Sequence, residues 1–180
     1  MILVLGLSRT GTRTLHKAFG LLGIASIHYP LDWIKMQGND GLLNWEALEQ
    51  AQVGAVSDIV LLPFISQILE RYPDSTLIFS VREKESWLRS LRTHKAAWER
   101  GVGYACDKAQ WLRKAVYGTV DFDEQQYAIA YDAWSQKKEL LGQRYNVHSI
   151  NVCAGDGWEK LCSMVNRDIP NVPFPHESDV

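Results

Sequence analysis

The order of residue types from Met1 to Thr14 constrains the fold of this chain most. Met1–Leu5 is a continuous apolar run, short enough to be a buried strand. Gly6 and Gly11 bound the loop that follows, and apolar residues at helical spacing come directly after it. A strand, a glycine-bounded loop and a helix aim backbone N–H groups and the positive end of the helix dipole at one point. The stretch therefore predicts a site for phosphate or a similar tetrahedral anion.

The glycine spacing resembles that of the nucleotide phosphate loop, in which lysine and then Ser or Thr follow the second glycine. This chain has Thr12 and Arg13 at those positions, and its cation lies inside the loop, at Arg9. Without that lysine, ordinary kinase or ATPase chemistry is disfavoured. An internal cation followed by Ser/Thr-Gly-Thr looks like the 5′-phosphosulfate loop of sulfotransferases, whose donor is 3′-phosphoadenylyl sulfate. A tight turn without a ligand is the alternative, but it requires neither three threonines nor two arginines.

Apolar runs along the rest of the chain predict strands that alternate with helices. Further strands are predicted near residues 24–29, 54–58, 76–81 and 146–152. Helices are predicted near residues 11–22, 44–52, 62–72, 83–100, 107–116 and 121–143, and after Asp156, which caps the last one. Residues 32–41 are predicted to form a loop. The pattern predicts an α/β fold with a parallel sheet of about five strands covered by helices on both faces.

A second cation, Arg82, stands at the carboxyl end of the most apolar later strand. In a parallel sheet this end lies at the same edge as the first loop. Ser90 follows eight residues later and shares a helix face with Ser86. Sulfotransferases hold the 3′-phosphate of the donor with an arginine at this strand end and a serine eight residues on. Arg82 alone would more often pair with a neighbouring acid, but its order and separation from the first loop favour a donor site.

Other segments extend the resemblance over nearly the whole chain. They are Tyr72-Pro73-Asp74, Ser86-Trp87, Gly155-Asp156-Gly157-Trp158 and Pro173-Phe174-Pro175-His176. Together with the two arginine motifs, they resemble the small sulfotransferase-like family of bacteria and eukaryotes, which belongs to the P-loop superfamily. Two positions depart from the family pattern: Arg13 replaces the usual second threonine, and Glu83-Lys84 stands where Asp-Pro is common. Neither departure removes a contact made by a backbone N–H group.

The resemblance implies a role for each residue of the two motifs. Arg9 neutralises the bridging oxygen as adenosine 3′,5′-bisphosphate leaves, while Arg82 and Ser90 hold the 3′-phosphate. The donor-binding residues of the first motif are Ser8, Arg9, Thr10, Gly11, Thr12, Arg13 and Thr14, with the hydroxyls of Thr12 and Thr14 among the contacts. A sulfuryl group in transfer carries less charge than a phosphoryl group, so no obligatory metal is implied.

The acceptor requires a base, and two side chains compete for this role. His28 lies near the carboxyl end of the second predicted strand, and an imidazole takes up a proton near neutral pH. Asp58 ends the next strand and is the rival, while His94 and His148 are weaker candidates. The aromatic segment from Tyr104 to Tyr117 is predicted to act as a lid over the acceptor, although aromatic residues at such spacing often pack instead.

The composition limits which partners the chain is expected to bind and in which compartment it is expected to work. The chain has 180 residues, 46% of them apolar, which suits one domain over residues 1–180. A net charge of −2 argues against broad electrostatic binding to nucleic acid or an anionic membrane. Three cysteines without CxxC or zinc spacing favour free thiols in a reducing compartment. The apolar opening lacks the flanks of a signal peptide, and a cytoplasmic location is expected.

Three functions remain open from the sequence alone. The first is a sulfotransferase that acts on the hydroxyl or amine of a small-molecule acceptor. The second is a P-loop nucleotide or small-molecule kinase, which the missing lysine opposes. The third is a non-catalytic member of the fold that binds the bisphosphate or a partner protein, for example as a homodimer through exposed tryptophans.

Overall fold

Apolar strands that alternate with helices along the chain pair into one parallel sheet. The computed structural model describes residues 1–100 and 106–177, with the backbone alone for residues 96–100. The strands are β1 (Ile2–Gly6), β2 (Ser26–His28), β3 (Ile34–Gln37), β4 (Asp40–Leu43), β5 (Ala55–Ser57), β6 (Thr76–Ser80) and β7 (Val147–Ile150). The parallel sheet has the order β2-β5-β1-β6-β7, while β3 and β4 form a separate antiparallel hairpin. The predicted α/β fold with about five parallel strands is confirmed.

Helices cover both faces of this sheet. They are α1 (Thr12–Leu21), α2 (Trp45–Gln50), α3 (Ile65–Arg71), α4 (Lys84–Arg100), α5 (Asp107–Tyr117), α6 (Glu124–Gly142) and α7 (Trp158–Val165). Buried side chains of α1 and α7 pack on one face, and those of α3 to α6 pack on the other. The helices on both faces were also predicted from the sequence.

Strand β1 lies at the centre of the sheet and joins the two cores. It pairs with β5 on one side and β6 on the other. Leu3 and Leu5 pack in the core of the α3–α6 face, whereas Val4 packs in the core of the α1 face. Burying each such side chain contributes about 1.5–3 kcal/mol, so the strand that carries the loop is anchored from both sides.

The predicted loop over residues 32–41 is wrong, because most of it forms the β3–β4 hairpin. The strands pair from Ile34–Leu43 to Gln37–Asp40, and a two-residue turn begins at Gly38 with φ +62°. β3 alternates apolar and polar residues over only four positions, and β4 (Asp40–Leu43) does not alternate, so the sequence pattern did not predict the hairpin. The hairpin packs against α5, where the ring of Trp111 lies directly over Gly41.

Two helix starts also differ from the prediction. Residues 62–72 do not form one helix, since a 3-10 turn at Ile59–Phe64 precedes α3. Pro63 lies in that turn and has no N–H for an α-helical hydrogen bond. Asp156 does not cap α7, because Gly157 is the capping residue. The Asp156 carboxylate accepts instead from the Asn151 N–H at 2.6 Å and from Lys160 Nζ at 2.7 Å.

Candidate active site

The loop Ser8–Gly11, here called the anion loop, is held in place by side chains of β6, of α4 and of the segment between them. Three consecutive carbonyls accept hydrogen bonds: Ser8 from Trp87 Nε1 (2.7 Å), Arg9 from Arg82 Nη1 (3.0 Å) and Thr10 from Ser80 Oγ (2.7 Å). The C=O and N–H of a trans peptide point in opposite directions. The N–H groups of Arg9 and Gly11 are therefore turned away from these side chains, as a site for an anion requires, whereas the Thr10 N–H donates to the Leu7 carbonyl at 3.3 Å.

Gly11 joins the anion loop to α1 in a conformation that suits glycine alone. Its φ is +96°, and a Cβ there would lie 2.1 Å from Val152 Cγ2. Gly11 provides no side-chain cap for α1. The first-turn N–H groups at Thr12, Arg13 and Thr14 have no acceptor within the helix itself, and together with the helix dipole they favour an anion.

The two predicted arginine anchors lie at the same edge of the sheet and contact each other's segments. Arg82 Nε donates to Ser86 Oγ at 3.0 Å, and Arg9 Nε donates to Ser90 Oγ at 3.3 Å. Ser90 is thus brought to the site, but it contacts Arg9, whereas Arg82 contacts Ser86. Burial, and then the positive charge of Arg82, lowers the pKa of Arg9. A bound anion would relieve this repulsion between like charges.

An aromatic cluster of α4, α5 and α6 supports both anchors. The Ser8 N–H donates to Tyr117 Oη at 3.0 Å, opposite the Trp87 indole that donates to the Ser8 carbonyl. Tyr131 Oη donates to the Arg82 carbonyl at 2.7 Å. The Trp87 ring lies 6.4 Å from that of Tyr117 and 5.3 Å from that of Tyr131, measured between centroids. The sequence analysis gave Tyr117 a place in the acceptor lid and Trp87 a place in a family segment, but it did not predict that either residue would hold the anion loop.

The two rival bases of the sequence prediction lie side by side. Strands β2 and β5 are neighbours, so their carboxyl ends bring His28 Nε2 within 3.0 Å of Asp58 Oδ2. Thr12 Oγ1 donates to the same carboxylate oxygen at 2.7 Å and lies 3.1 Å from His28 Nε2. The Ile59 N–H donates to Asp58 Oδ1 at 2.7 Å. The Thr12 hydroxyl hydrogen is therefore used within the protein.

Asp58 is ionised in this arrangement. Burial raises the pKa of its carboxyl, but the hydrogen bonds and charge of His28, together with the hydrogen bonds from Thr12 and Ile59, lower that pKa more, so the net shift is downward. An ionised carboxylate only accepts hydrogen bonds, so His28 Nε2 carries the hydrogen that faces it. The unprotonated nitrogen of a neutral His28 is then Nδ1.

A third residue of this group, His16, was missed in the sequence. Its ring centroid lies 6.0 Å from that of His28. Ser26 Oγ donates to the His16 carbonyl at 3.2 Å, so in the 2.7 Å contact with His16 Nδ1 the hydroxyl is the acceptor. Burial, and then the charge of His28, lowers the pKa of His16. Its position four residues after Thr12, on the same face of α1, was the available signal.

The remaining candidates lie apart from this group or outside the described residues. His94 follows Ser90 by one turn of α4, and burial and then the charge of Arg9 lower its pKa. His148 lies on β7, at the sheet edge opposite to β2. Of the predicted lid, Tyr104 lies outside the described residues. Trp111 is partly buried and stacks on Phe64, and Tyr117 is buried, so both rings pack against the core and not as a lid.

Metal-ligating clusters and membrane-spanning helices are both absent from the described part of the chain. Among the described side chains, those of residues 1–95 and 106–177, no cluster of three or more His, Cys, Asp or Glu residues could hold a metal ion. In that same part, none of the helices has the length and apolar character needed to cross a membrane.

The fold and the arrangement of the site define an α/β protein of the class that holds its ligand at the carboxyl edge of a parallel sheet. The sulfotransferase domain family matches residues 1–180, and the chain therefore belongs to this family. It is also similar to Ava biosynthesis cluster protein M of Aspergillus versicolor, with 28% identity over 216 residues that cover 97% of this chain and 79% of the relative. Membership identifies the chain as a transferase-type protein and implies a sulfonate donor and a small-molecule acceptor.

Proposed function

We propose that this protein transfers a sulfuryl group from 3′-phosphoadenylyl sulfate to a hydroxyl or amine of a small molecule. The observation that carries the proposal is the direct contact between the two anchors, in which Arg82 Nη1 donates to the Arg9 carbonyl at 3.0 Å. A donor with anionic groups at both its 5′ and 3′ positions can reach both arginines at this edge. The family match over residues 1–180 also supports the view that the chain is one sulfotransferase-like domain.

Each anionic group of the donor has a matching set of residues. We assign the 5′-phosphosulfate to the anion loop and to the first turn of α1, where N–H groups and Arg9 provide hydrogen bonds and charge. We assign the 3′-phosphate to Arg82 with its neighbours Ser86 and Ser90. Thr12 contributes its N–H and not its hydroxyl, because the hydroxyl hydrogen is donated to Asp58.

Transfer forms a bond between the acceptor oxygen or nitrogen and sulfur. It breaks the bond between sulfur and the bridging oxygen, whose electron pair leaves with adenosine 3′,5′-bisphosphate. Charge therefore develops on the bridging oxygen, and the Arg9 guanidinium is the cation placed in the loop to stabilise it. The support provided by Trp87 and Ser80 lets the loop present its N–H groups without rearrangement during the reaction.

The acceptor proton requires a base, and the hydrogen bonds support His28 in this role. Its Nε2–H faces Asp58 at 3.0 Å, so Nδ1 keeps the lone pair that accepts the proton. Asp58 is unsuited as a base because its pKa is lowered and its two oxygens already accept hydrogen bonds. We propose that Asp58 orients His28 and stabilises the imidazolium, as the carboxylate of a catalytic triad does.

Calorimetry with adenosine 3′,5′-bisphosphate tests the donor site. We expect binding without magnesium, and Arg82→Ala should cost about 1.5–3 kcal/mol of affinity because a charge-assisted hydrogen bond is lost. AMP, which lacks the 3′-phosphate, should lose clearly less affinity than the bisphosphate, because for AMP only the hydrogen bond from Arg82 to the Arg9 carbonyl is lost. The matched control is Arg89→Ala, an exposed position of α4. Equal losses for both ligands, or binding that requires ATP and magnesium, would contradict the proposal, and the latter would support the kinase alternative.

Turnover assays over a panel of acceptors separate catalysis from binding alone. We expect His28→Ala to lower kcat by about 10²–10⁴-fold while bisphosphate affinity is retained. Asp58→Asn should lower kcat as well, because an amide can donate a hydrogen to His28 Nε2 and so favours the other tautomer. If His28→Ala keeps near-full activity, another residue is the base. If wild type turns over none of the acceptors but binds the bisphosphate, the non-catalytic alternative gains support.

A further inference from the structure

A groove on the α5–α6 side of the protein contains a cation in apolar surroundings. Its volume is about 230 Å³, and it is lined by the 3-10 turn Ile59–Phe64, the end of α5 and the middle of α6. The lining includes Leu62, Pro63, Val116, Ala133, Trp134 and Lys137. These residues are not members of the donor or base sites, so the proposed sulfuryl transfer does not explain them.

Lys137 provides the only charge among the lining residues of this groove. Its Nζ donates to the Leu62 carbonyl at 3.1 Å, and no ion pair with a carboxylate is found for it among the described residues. Burial lowers its pKa, with no compensating acid beside it. An ammonium has three N–H donors, so two remain for other acceptors. A cation that is partly desolvated and lacks a counter-ion is complementary to an anion.

Trp134 also lines the groove and provides a second hydrogen-bond donor that has no acceptor among the described residues. It lies three residues before Lys137 on α6, which places the two on the same side of the helix. Its side chain is 5% exposed, and its buried Nε1–H has no acceptor within the part of the chain that the structure describes. Buried indole N–H groups normally find a partner, so the Trp134 Nε1–H is open to an acceptor that a ligand provides.

We propose that this groove binds a small carboxylate with an apolar body, with the carboxylate against Lys137 and the apolar body against Trp134 and Val116. Charge complementarity favours an anionic ligand, because Lys137 has no carboxylate partner among the described side chains, those of residues 1–95 and 106–177. Because the rest of the lining is apolar, we expect the rest of the ligand to be a hydrocarbon or aromatic group. Leu7, which directly precedes the anion loop, also lines the groove, but none of the lining residues is assigned to the donor or to the base, and occupancy of the groove does not require sulfuryl transfer.

NMR of the ¹⁵N-labelled protein tests this site with three matched probes. They are 3-phenylpropionate, 3-phenylpropan-1-ol and 3-phenylpropylamine, which differ only in the head group. We expect the carboxylate to shift the Trp134 indole signal in a saturable way and to bind at least about tenfold more tightly than the alcohol. Trp158 is the internal control, because its Nε1 donates to the Val172 carbonyl at 2.7 Å on the opposite face of the sheet. Trp134→Phe assigns the signal.

Variants separate the recognition of charge from that of shape. Lys137→Met keeps the apolar stem and should reduce affinity for the carboxylate to that for the alcohol. Lys138→Met, whose ammonium pairs with Glu139 at 3.5 Å, should change neither affinity. Ala133→Leu fills the groove and should weaken all probes.

Three results would overturn the proposal. The first is equal affinity of wild type for the carboxylate and the alcohol, and the second is a carboxylate affinity unchanged in Lys137→Met. The third is a wild-type dimer, seen by sedimentation velocity, that dissociates on Ala133→Leu, because the groove would then be covered by a second copy. All readouts are independent of the donor, so failure here leaves the sulfotransferase proposal intact.

Discussion

Asp58 is the residue at which burial, backbone strain and hydrogen bonding meet. Its φ of +97° is unusual for a residue other than glycine, and its side chain is almost fully buried. Such a conformation costs on the order of 1–3 kcal/mol and persists only where the surroundings impose it. In Asp58, the contacts that hold this conformation are those to Thr12, His28 and the Ile59 N–H. The strain therefore coincides with the group to which we assign proton transfer.

The pH dependence of stability tests the ionisation of Asp58. Because its pKa is lowered in the folded protein, its ionisation stabilises the fold above the unfolded value of about 4, and this contribution is lost as the pH falls through the folded pKa. Urea unfolding at pH 6 and at pH 3 measures it. We expect wild type to lose more free energy of unfolding between these pH values than Asp58→Asn does. Equal losses in both proteins would show that this carboxylate contributes nothing to acid sensitivity.

Two glycines of α1 illustrate how element geometry decides what a residue contributes. Gly11 initiates the helix at φ +96° against Val152, whereas Gly20 lies inside the helix, where an added methyl group would meet nothing within 4 Å. Gly11 is required because its positive φ and the close approach of Val152 leave no room for a side chain. Gly20 only weakens the helix, because glycine loses more conformational entropy on folding than alanine.

The matched substitutions Gly11→Ala and Gly20→Ala test this difference. Gly20→Ala should raise the free energy of unfolding by about 0.4–1 kcal/mol. Gly11→Ala should lower it by more than about 1 kcal/mol and should also weaken bisphosphate binding, since the start of α1 must shift away from Val152. Urea unfolding and calorimetry measure both effects. A stabilised Gly11→Ala variant with normal binding would contradict our account of the anion loop.

Across the complete molecule, segments far apart in the chain hold the anion loop. Tyr117 and Ser8 are separated by 109 residues, and Ser80 and Thr10 by 70. The loop therefore adopts its conformation only when α5 and β6 are packed in place. Its geometry depends on the cooperative folding of the α3–α6 face.

Tyr117→Phe removes only the hydroxyl that accepts the Ser8 N–H. We expect bisphosphate affinity to fall by about 0.5–1.5 kcal/mol, because one hydrogen bond that orients the loop is lost while the Trp87 contact remains. Calorimetry and urea unfolding are measured on the same samples, with Tyr145→Phe as a control at a ring that packs at the edge of the core. A loss of stability without a loss of affinity would reduce Tyr117 to a packing role.

Local patterns in the chain were enough to predict the fold class and to bring the two arginines to one edge of the sheet. The strand, loop and helix around Arg9 are contiguous, so local periodicity and two glycines suffice to predict them. Arg82 could be placed because the carboxyl ends of parallel strands meet at one edge regardless of strand order. Predictions that rested on these local rules were confirmed at the level of fold and family.

Which side chains meet, in contrast, depends on tertiary packing. The sequence presented His28 and Asp58 as rivals, and the order β2-β5-β1 makes them hydrogen-bonded partners that also share Thr12. The packing of α4 likewise decides that Arg9 contacts Ser90 and that Arg82 contacts Ser86. The packing of α5 decides that Tyr117 contacts the anion loop. Strand order and helix packing are set by the total burial of apolar surface over distant segments. No local pattern encodes the total burial of apolar surface, so the contacts that depend on it could not be predicted from the sequence pattern.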